Sequence, residues 1–502
     1  MFQNNDELRP GGGFVTAYAN LNLLFGIPTS FSFHNSYEVD TSSYVTPPYP
    51  QEELLKNEWY QGYTFRDANW DPNFPDAAKT IVDFYQKKFP SSDIDGVVVM
   101  NFKVIEDLLK ELGSVSIKNQ SVDSKNLFSF LEFQVGNVDR HNLAALASRK
   151  DVLKELAQSL TSKMFWSPFR TRNVLSSAID QKDLYFWFKK PALEAKVIAR
   201  GWGNALTYPG AITESRLQSM GSDFLGLNLA NLGSKKADRY LLKNAEYYVD
   251  LSTPVPTAHL KVELNFPGKL NSYSDPYRGY LRVILPVGYT ISYMPDGSKI
   301  ELTSQFQMIG TVVQLTDEKP SAEWTYDYTL PRNLFSGSDY RLRLTKQSAD
   351  RTNYLVAITG PRDSMLESDI FDAREDKAFW RGSLLGDTDL TLHVQPDTTP
   401  PYVLEQKFDT LSQISLLWSE PMDDVSVNNP ANYTIQDINA ISPTTDTVKI
   451  ESVSTDQAVT RLSLSGITSQ PLEQYRISMK GIRDRNKNAI QSDPKEITVV
   501  QR

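Results

Sequence analysis

Two short polar strings hold the side chains best suited to chemistry. The first carries Asn4, Asn5, Glu7, Arg9 and three glycines, Gly11, Gly12 and Gly13; the second carries Arg66, Asp67, Asn69 and Asp71. Consecutive glycines let backbone N–H groups approach a ligand closely. An arginine offers a planar fork to phosphate or carboxylate. Asn5, Glu7, Gly12 and Asn69 are therefore candidate ligand contacts, and Glu7 is also placed to hold Arg9 or a cation. Asp67 and Asp71 have the oxygen chemistry to hold Mg²⁺ with waters retained. Moving a phosphate-linked group needs charge neutralisation and positioning more than covalent work. On that ground Arg9, Arg66 and Asp67 are the candidate catalytic residues. Arg149, which follows Asp139 and Arg140, would complete an anion site.

Each string also has a plainer reading. The first lacks the terminal Lys-Ser/Thr of a P-loop and suits a tight turn with a local Glu7–Arg9 pair. The second suits an Asx-turn network at a helix start. Arg149 suits a solvated helix start, and Lys235, Lys236 and Asp238 a surface turn. Trp59, Tyr60, Tyr63 and Trp70 suit either a platform for sugar or lipid or ordinary packing. Glu420, Asp423, Asp424 and Asp484 have the chemistry for Ca²⁺ but not the EF-hand spacing. No Ser–His–Asp or HExxH arrangement occurs, and the four histidines are scattered.

The elements that must position these strings follow from periodicity. Pro75 fits the first turn of a helix, with Ala77, Ala78, Ile81, Phe84 and Tyr85 at three- and four-residue steps. Ile94 to Phe102 is a short run rich in β-branched residues, as in a buried strand. Val104 to Gly113 reads as a helix closed by glycine. Asn142 to Met164 is a long helix, further helical segments run to about Ala199, and Asp223 to Leu242 reads as strand, turn, strand. Alternation of strand and helix predicts an α/β domain over 1–245. From Glu246 the period changes to two, which predicts a β-sandwich over 246–395. After the PDTTPP linker, seven short strands predict a second, immunoglobulin-like sandwich over 396–502.

Composition limits the rest. At 502 residues the chain exceeds one hydrophobic core. A net charge of −9, with no long Lys/Arg run, argues against a nucleic-acid partner. No cysteine is present, which excludes disulfides and thiolate chemistry. The start is abrupt: a glycine-rich turn normally follows a strand, here reduced to Phe2. The expectation is that a strand and an apolar anchor span precede Met1.

Three segments carry a family resemblance. FQNNDELRPGGGF, FRDANWDPNFPDAA and DIDGVVVMNFKVIEDLL, in this order, resemble the bacterial domain-of-unknown-function 4012 family, with LGSKKADRYLL and YRGYLRVILPVG similar to its later segments. The resemblance spans about residues 2–335. It implies an extracytoplasmic body anchored to the membrane. DIDGVVVMNFKVIEDLLKELGSVSI is also distantly similar to the LytR-CpsA-Psr family, and SRKDVLKELAQSL to the start of its Arg-bearing helix. That likeness implies a three-layer α/β domain and a polyprenyl-phosphate lipid or cell-wall glycopolymer as partner. DTTPP, LLWSEPMD, NPANYTI and YRISMKGIRDRNKNAI are similar to bacterial Ig-like surface domains. Two functions follow as expectations. One is an extracytoplasmic envelope protein that binds or transfers a phosphorylated glycopolymer precursor. The other is a non-enzymatic surface scaffold or adhesion protein with Ig-like spacers.

Overall fold

A computed structural model describes the chain apart from residues 5, 26, 41–44, 55–61, 132–142, 209–221, 234–235, 254, 268–276, 332–338, 362–363, 397, 439–447, 457, 468–472 and 502. Two compact units result: residues 1–358 with 379–392, and residues 359–378 with 393–502.

The first unit begins with an α/β layer. Strands β1 (Phe2–Asn4), β2 (Phe14–Leu24) and β3 (Ile27–Asn35) are followed by the short helix α1 (Gln51–Leu54) and by α2 (Phe74–Lys88). Next come β4 (Gly96–Asn101), α3 (Phe102–Leu112) and a small hairpin of β5 (Val115–Ile117) and β6 (Gln120–Val122). Helices α4 (Leu127–Leu131), α5 (Leu143–Trp166) and α6 (Pro168–Asp180), strand β7 (Leu184–Phe188) and helix α7 (Pro191–Ala199) complete it. The sheet order is β3-β2-β1-β4-β7, with β1 and β4 parallel.

Helices cover both faces of this sheet. Pro75 sits in the first turn of α2, as its fixed φ favours. Ala77, Ala78, Ile81 and Phe84 then pack against Val15, Val97, Val99, Tyr185 and Trp187. On the other face, Val104, Leu108 and Leu109 of α3 join Val152, Leu156 and Leu160 of α5 and Leu184. The side chain of Asn101 caps α3 by accepting from the Lys103 N–H, and Gly113 closes it at φ 85°. One segment departs from the sequence reading. Leu184–Phe188 lies where helix is predicted, yet it is the sheet's edge strand. Its sequence LYFWF is apolar throughout and shows no period by polarity; Tyr185 and Trp187 face one core, Leu184 and Phe186 the other.

Two facing sheets form the rest of this unit. Their strands are β8 (Asp223–Asn231), β9 (Leu242–Asp250), β10 (Thr257–Asn265), β11 (Tyr277–Pro286), β12 (Thr290–Tyr293), β13 (Lys299–Leu302), β14 (Phe306–Leu315), β15 (Ser321–Thr329), β16 (Asp339–Thr345) and β17 (Asn353–Thr359). One sheet runs β12-β15-β10-β9-β17 and continues into the strand Lys377–Ser383; the other runs β13-β14-β11-β8-β16 and continues into the strand Thr388–Pro396. Hydrogen bonds join the inner faces: Tyr247 donates to Asp223 at 2.7 Å, and Thr311 and Tyr326 meet at 2.9 Å. The sheets thus take in β8 and the start of β9, ahead of the expected boundary at 246. All nine residues of β8 are buried. β8 is a strand as read from the sequence, but a strand covered on both faces has no two-residue alternation to mark it as part of the sandwich.

In the second unit, all seven predicted segments after the linker are strands. Val403–Thr410, Gln413–Trp418, Val459–Ser465 and Lys449–Asp456 form one sheet; Tyr433–Asp437, Gln474–Met479 and Lys495–Val500 form another. Ile414, Trp418, Leu462, Tyr475 and Ile477 lie in their shared core. Asp423 is used locally, on Ser426 N–H and Lys487, and Asp484 on Asn488.

Candidate functional site

The two polar strings meet, and they meet in the interior. The Gly11 N–H donates to the Asn69 carbonyl at 3.0 Å, and Asn69 Nδ2 returns a bond to the Gly13 carbonyl at 2.6 Å. Arg9 Nε donates to Asp67 Oδ1 at 2.9 Å, and Nη2 to Glu7 Oε1 at 3.0 Å. Arg9 Nη1 donates to the carbonyls of Leu8 and Asn231 at 3.0 and 2.8 Å. Every guanidinium nitrogen has a protein acceptor, and Arg9 is 2 % exposed.

The sheets behind supply the rest of the clasp. Asp238 accepts from Leu8 N–H, Asn231 Nδ2 and Tyr277 OH at 3.0, 2.7 and 3.1 Å. Gln347 Nε2 donates to the carbonyls of Arg9 and Leu229, both at 2.9 Å. Asn228 Nδ2 donates to the Pro10 carbonyl at 3.0 Å. Trp70 packs with Ala230 and Tyr280, under the Arg282 guanidinium at 5.0 Å. The first string is thereby stitched to β8 and the second is packed against it.

Residues 1–135 match the family model of DUF4012, a protein of unknown function. The match covers both polar strings and stops short of residue 335, where the sequence resemblance ends. No curated protein matches the chain. The chain is also similar to the N-terminal part of the bacterial S-layer protein SbsC, a crystal structure, at 12% identity and a TM-score of 0.18. That overlap covers 20% of this chain and 24% of the solved one, so the chain spans about a quarter of that structure.

Within the matched stretch, Arg66 is turned to a different carboxylate. Its Nε lies 2.8 Å from Asp40 Oδ2, and its guanidinium covers the Tyr37 ring at 4.1 Å. Arg9 and Arg66 both approach the Phe14 ring, at 5.4 and 5.9 Å. They are neighbours, but each is held by its own acid. Asp71 accepts from the Asn73 N–H at 2.7 Å. Asp67 is spent on Arg9, and no group of three metal-binding side chains occurs among the described residues. Asp67 and Asp71 therefore do not fit as a Mg²⁺ pair. Asn5 lies outside the described residues, as do Trp59, Tyr60 and Lys235; for Arg149 the backbone of α5 is described and the side chain is not. Tyr63 packs on Phe84 and Trp70 is buried, so neither offers a platform. Gly12 has φ +125°, which favours glycine.

The clasp has an electrostatic consequence. Glu7 and Asp67 crowd one guanidinium, with Asp238 close enough to Glu7 to act on it. Burial pushes Glu7 above the ordinary carboxylate range, against the pull of Arg9, and nearby Asp67 adds to the rise. Burial raises Asp238 likewise, against Lys243. A raised folded pKa means that the folded state holds the proton more tightly. The stability it contributes is complete below the unfolded value of about 4 and is lost as pH rises through the folded value. Asp350 and Asp387 behave oppositely: burial would raise them, but Lys243 and Lys182 hold them low. Their contribution is lost as pH falls below about 4. The melting temperature of the first unit should therefore be higher near pH 5 than at pH 8, and fall again in stronger acid. Thermal scans across that range check this, and Glu7→Gln should flatten the alkaline limb. A midpoint that climbs steadily from pH 5 to 8 would contradict it.

A cationic group that sequence reasoning missed lies at the carboxyl ends of β1 and β4. Asp6 pairs with Arg239 at 3.4 Å and feels Lys236 and Arg351. Glu106 feels Arg239, Lys103 and Arg351. Arg239 covers Phe128 at 3.7 Å. Four cations thus surround two carboxylates at the end of parallel strands where open α/β sheets bind ligands. The cations come from three separate stretches of chain, so no local motif marks them.

Proposed function

We propose that the chain is a non-enzymatic scaffold of the bacterial cell envelope. In this reading it acts outside the cytoplasm. The α/β layer, three-layered as in the LytR-CpsA-Psr likeness, and the two sheets behind it form one rigid module. The seven-stranded unit serves as an Ig-like spacer. The observation that carries the reading is the engagement of every Arg9 nitrogen by buried protein acceptors. A phosphate-gripping arginine must keep donors for the anion.

One observation favours a second reading: the exposed cations Arg239 and Arg351, with Lys103 and Lys236, at the strand ends. There the protein would bind, without transferring, a phosphorylated polyprenyl-linked glycopolymer. Calorimetric titration of the full chain with a soluble polyprenyl-pyrophosphate mimic separates the readings. The scaffold reading expects no saturable binding, and Arg66→Ala to cost about 1 kcal/mol of stability at most, since its ion pair is partly exposed. Binding that disappears in Lys103→Ala/Arg239→Ala but survives in Arg66→Ala would establish the second reading. Binding or turnover abolished by Arg66→Ala would return the transferase.

A further inference from the structure

The α/β layer ends in an uncharged hairpin. Residues 10–37 contain no Asp, Glu, Lys or Arg, although exposed edge strands ordinarily carry charge. Ala17 of β2 pairs with Phe2, so residues 18–24 run on past the start of β1, by about 23 Å at ~3.3 Å per residue. Leu21, Leu23 and Leu24 are half-exposed, Phe31 likewise, and Phe25 at the turn is 97 % exposed. Leu21 and Phe31 are cross-strand partners and share one face. Leu23 lies on that face and Leu24 on the opposite one, because strand side chains alternate.

A second apolar group stands at the same end. Helix α3 returns from the carboxyl end of β4, so its last residue, Leu112, is near the level of Gly96. Lys163 Nζ donates to the Leu112 carbonyl at 3.1 Å, which brings the end of α5 to that level, and α5 packs beside β3. Just beyond Lys163, Phe165, Trp166 and Phe169 form the corner between α5 and α6, at 76, 79 and 82 % exposed. Residues 161–172 hold three cations, Lys163, Arg170 and Arg172, and no carboxylate, in a chain of net charge −9. The nearby Glu111 faces Arg170 at 3.8 Å.

We infer that this end, formed by the β2–β3 hairpin tip and the Phe165–Phe169 corner, seats in the surface of an anionic lipid bilayer. A protein partner covers one face of a hairpin. At the tip, Leu23 and Leu24 point to opposite faces and Phe25 tops the turn, while Asn20, Asn22, Ser30 and Ser32 form a polar stem on one face behind it; an apolar tip on such a stem fits a medium that surrounds the tip. Trp and Phe beside basic side chains, with acids nearly absent, are the residue set of the headgroup boundary, and the cations match anionic lipid. No helix among the described residues is long and apolar enough to cross a membrane; the contact inferred is interfacial. It does not depend on the scaffold reading.

The test is co-sedimentation of the full 502-residue chain with vesicles of phosphatidylcholine, with and without phosphatidylglycerol. Binding is expected to the anionic vesicles and to weaken with salt. Brominated lipid should quench fluorescence in the wild type that is missing from Trp166→Phe. Phe25→Glu and, on a separate element, Trp166→Glu should each weaken binding about tenfold or more, the change that follows from removing one large side chain from the apolar phase. Both positions are exposed, so melting temperatures should not change. A chain that stays in the supernatant with both vesicle types, or variants that bind like the wild type, overturns the inference. So does a wild-type dimer in light scattering, with no vesicle binding, that Phe25→Glu makes monomeric; the surface then belongs to a second copy.

Discussion

Arg9→Met should lower the stability of the first unit by about 3–5 kcal/mol, the range for breaking a buried charge cluster by removing one partner. The substitution keeps the length and apolar stem of the side chain, so little of the loss would come from a cavity. What it removes is the counter-charge to Glu7 and Asp67, which lie 3.0 and 2.9 Å from the guanidinium and are themselves buried. It also orphans the carbonyls of Leu8 and Asn231, each costing roughly 1–3 kcal/mol if no water reaches it. Urea unfolding, following the transition of the first unit, measures the loss. Adding Glu7→Gln and Asp67→Asn to Arg9→Met should recover part of it, because the uncompensated charges then leave with their partner. An Arg9→Met protein as stable as the wild type would leave the clasp without support and return Arg9 to the candidate catalytic residues.

The Glu7–Arg9 pair is visible from spacing, because the two lie two residues apart in one turn. The contact between the strings is visible only as a possibility, since nothing local brings Asp67 to Arg9. The decisive partners, Asn231, Asp238, Tyr277 and Gln347, lie more than two hundred residues further on and leave no mark near the motif. Their effect is to convert a string with the composition of an anion site into an internal joint. Elements with clear alternation are legible: the seven strands after the linker, and α2 with its Pro75. β8 is legible as a strand but not as a member of the sandwich, because it is buried on both sides. It is covered on one face by the facing sheet, through Asp223 and Tyr247, and on the other by the two strings, through Asn228 on Pro10 and Ala230 on Trp70. The boundary drawn at 246 fails at that strand for the reason that makes the first unit one body. The apolar hairpin is the converse case: its lack of charge is plain in the sequence, but its exposure is not.

Gly12→Ala should be the most damaging conservative change in the first string, at about 3 kcal/mol or more. Two costs combine. The backbone at φ +125° is a region that an L side chain enters at roughly 1–3 kcal/mol. The new methyl would also stand 2.3 Å from Gln3 Oε1, 2.8 Å from Tyr185 OH and 3.1 Å from Ser348 Oγ, and overpacking of this kind costs typically 1–3 kcal/mol. None of these neighbours can swing aside. Gln3 and Ser348 are fully buried, and Tyr185 is buried with its hydroxyl within hydrogen-bond reach of the Gly11 carbonyl and of Gln3 Oε1. By contrast, a glycine kept only so that a ligand could approach the backbone would face open space, and alanine there would spare stability and reduce binding. Thermal unfolding of Gly12→Ala therefore distinguishes joint from site. A drop of roughly 6 °C or more, at about 2–4 °C per kcal/mol for a unit of this size, supports the joint. An unchanged melting temperature with weakened binding of a phosphate ligand would show that the glycines serve an anion after all.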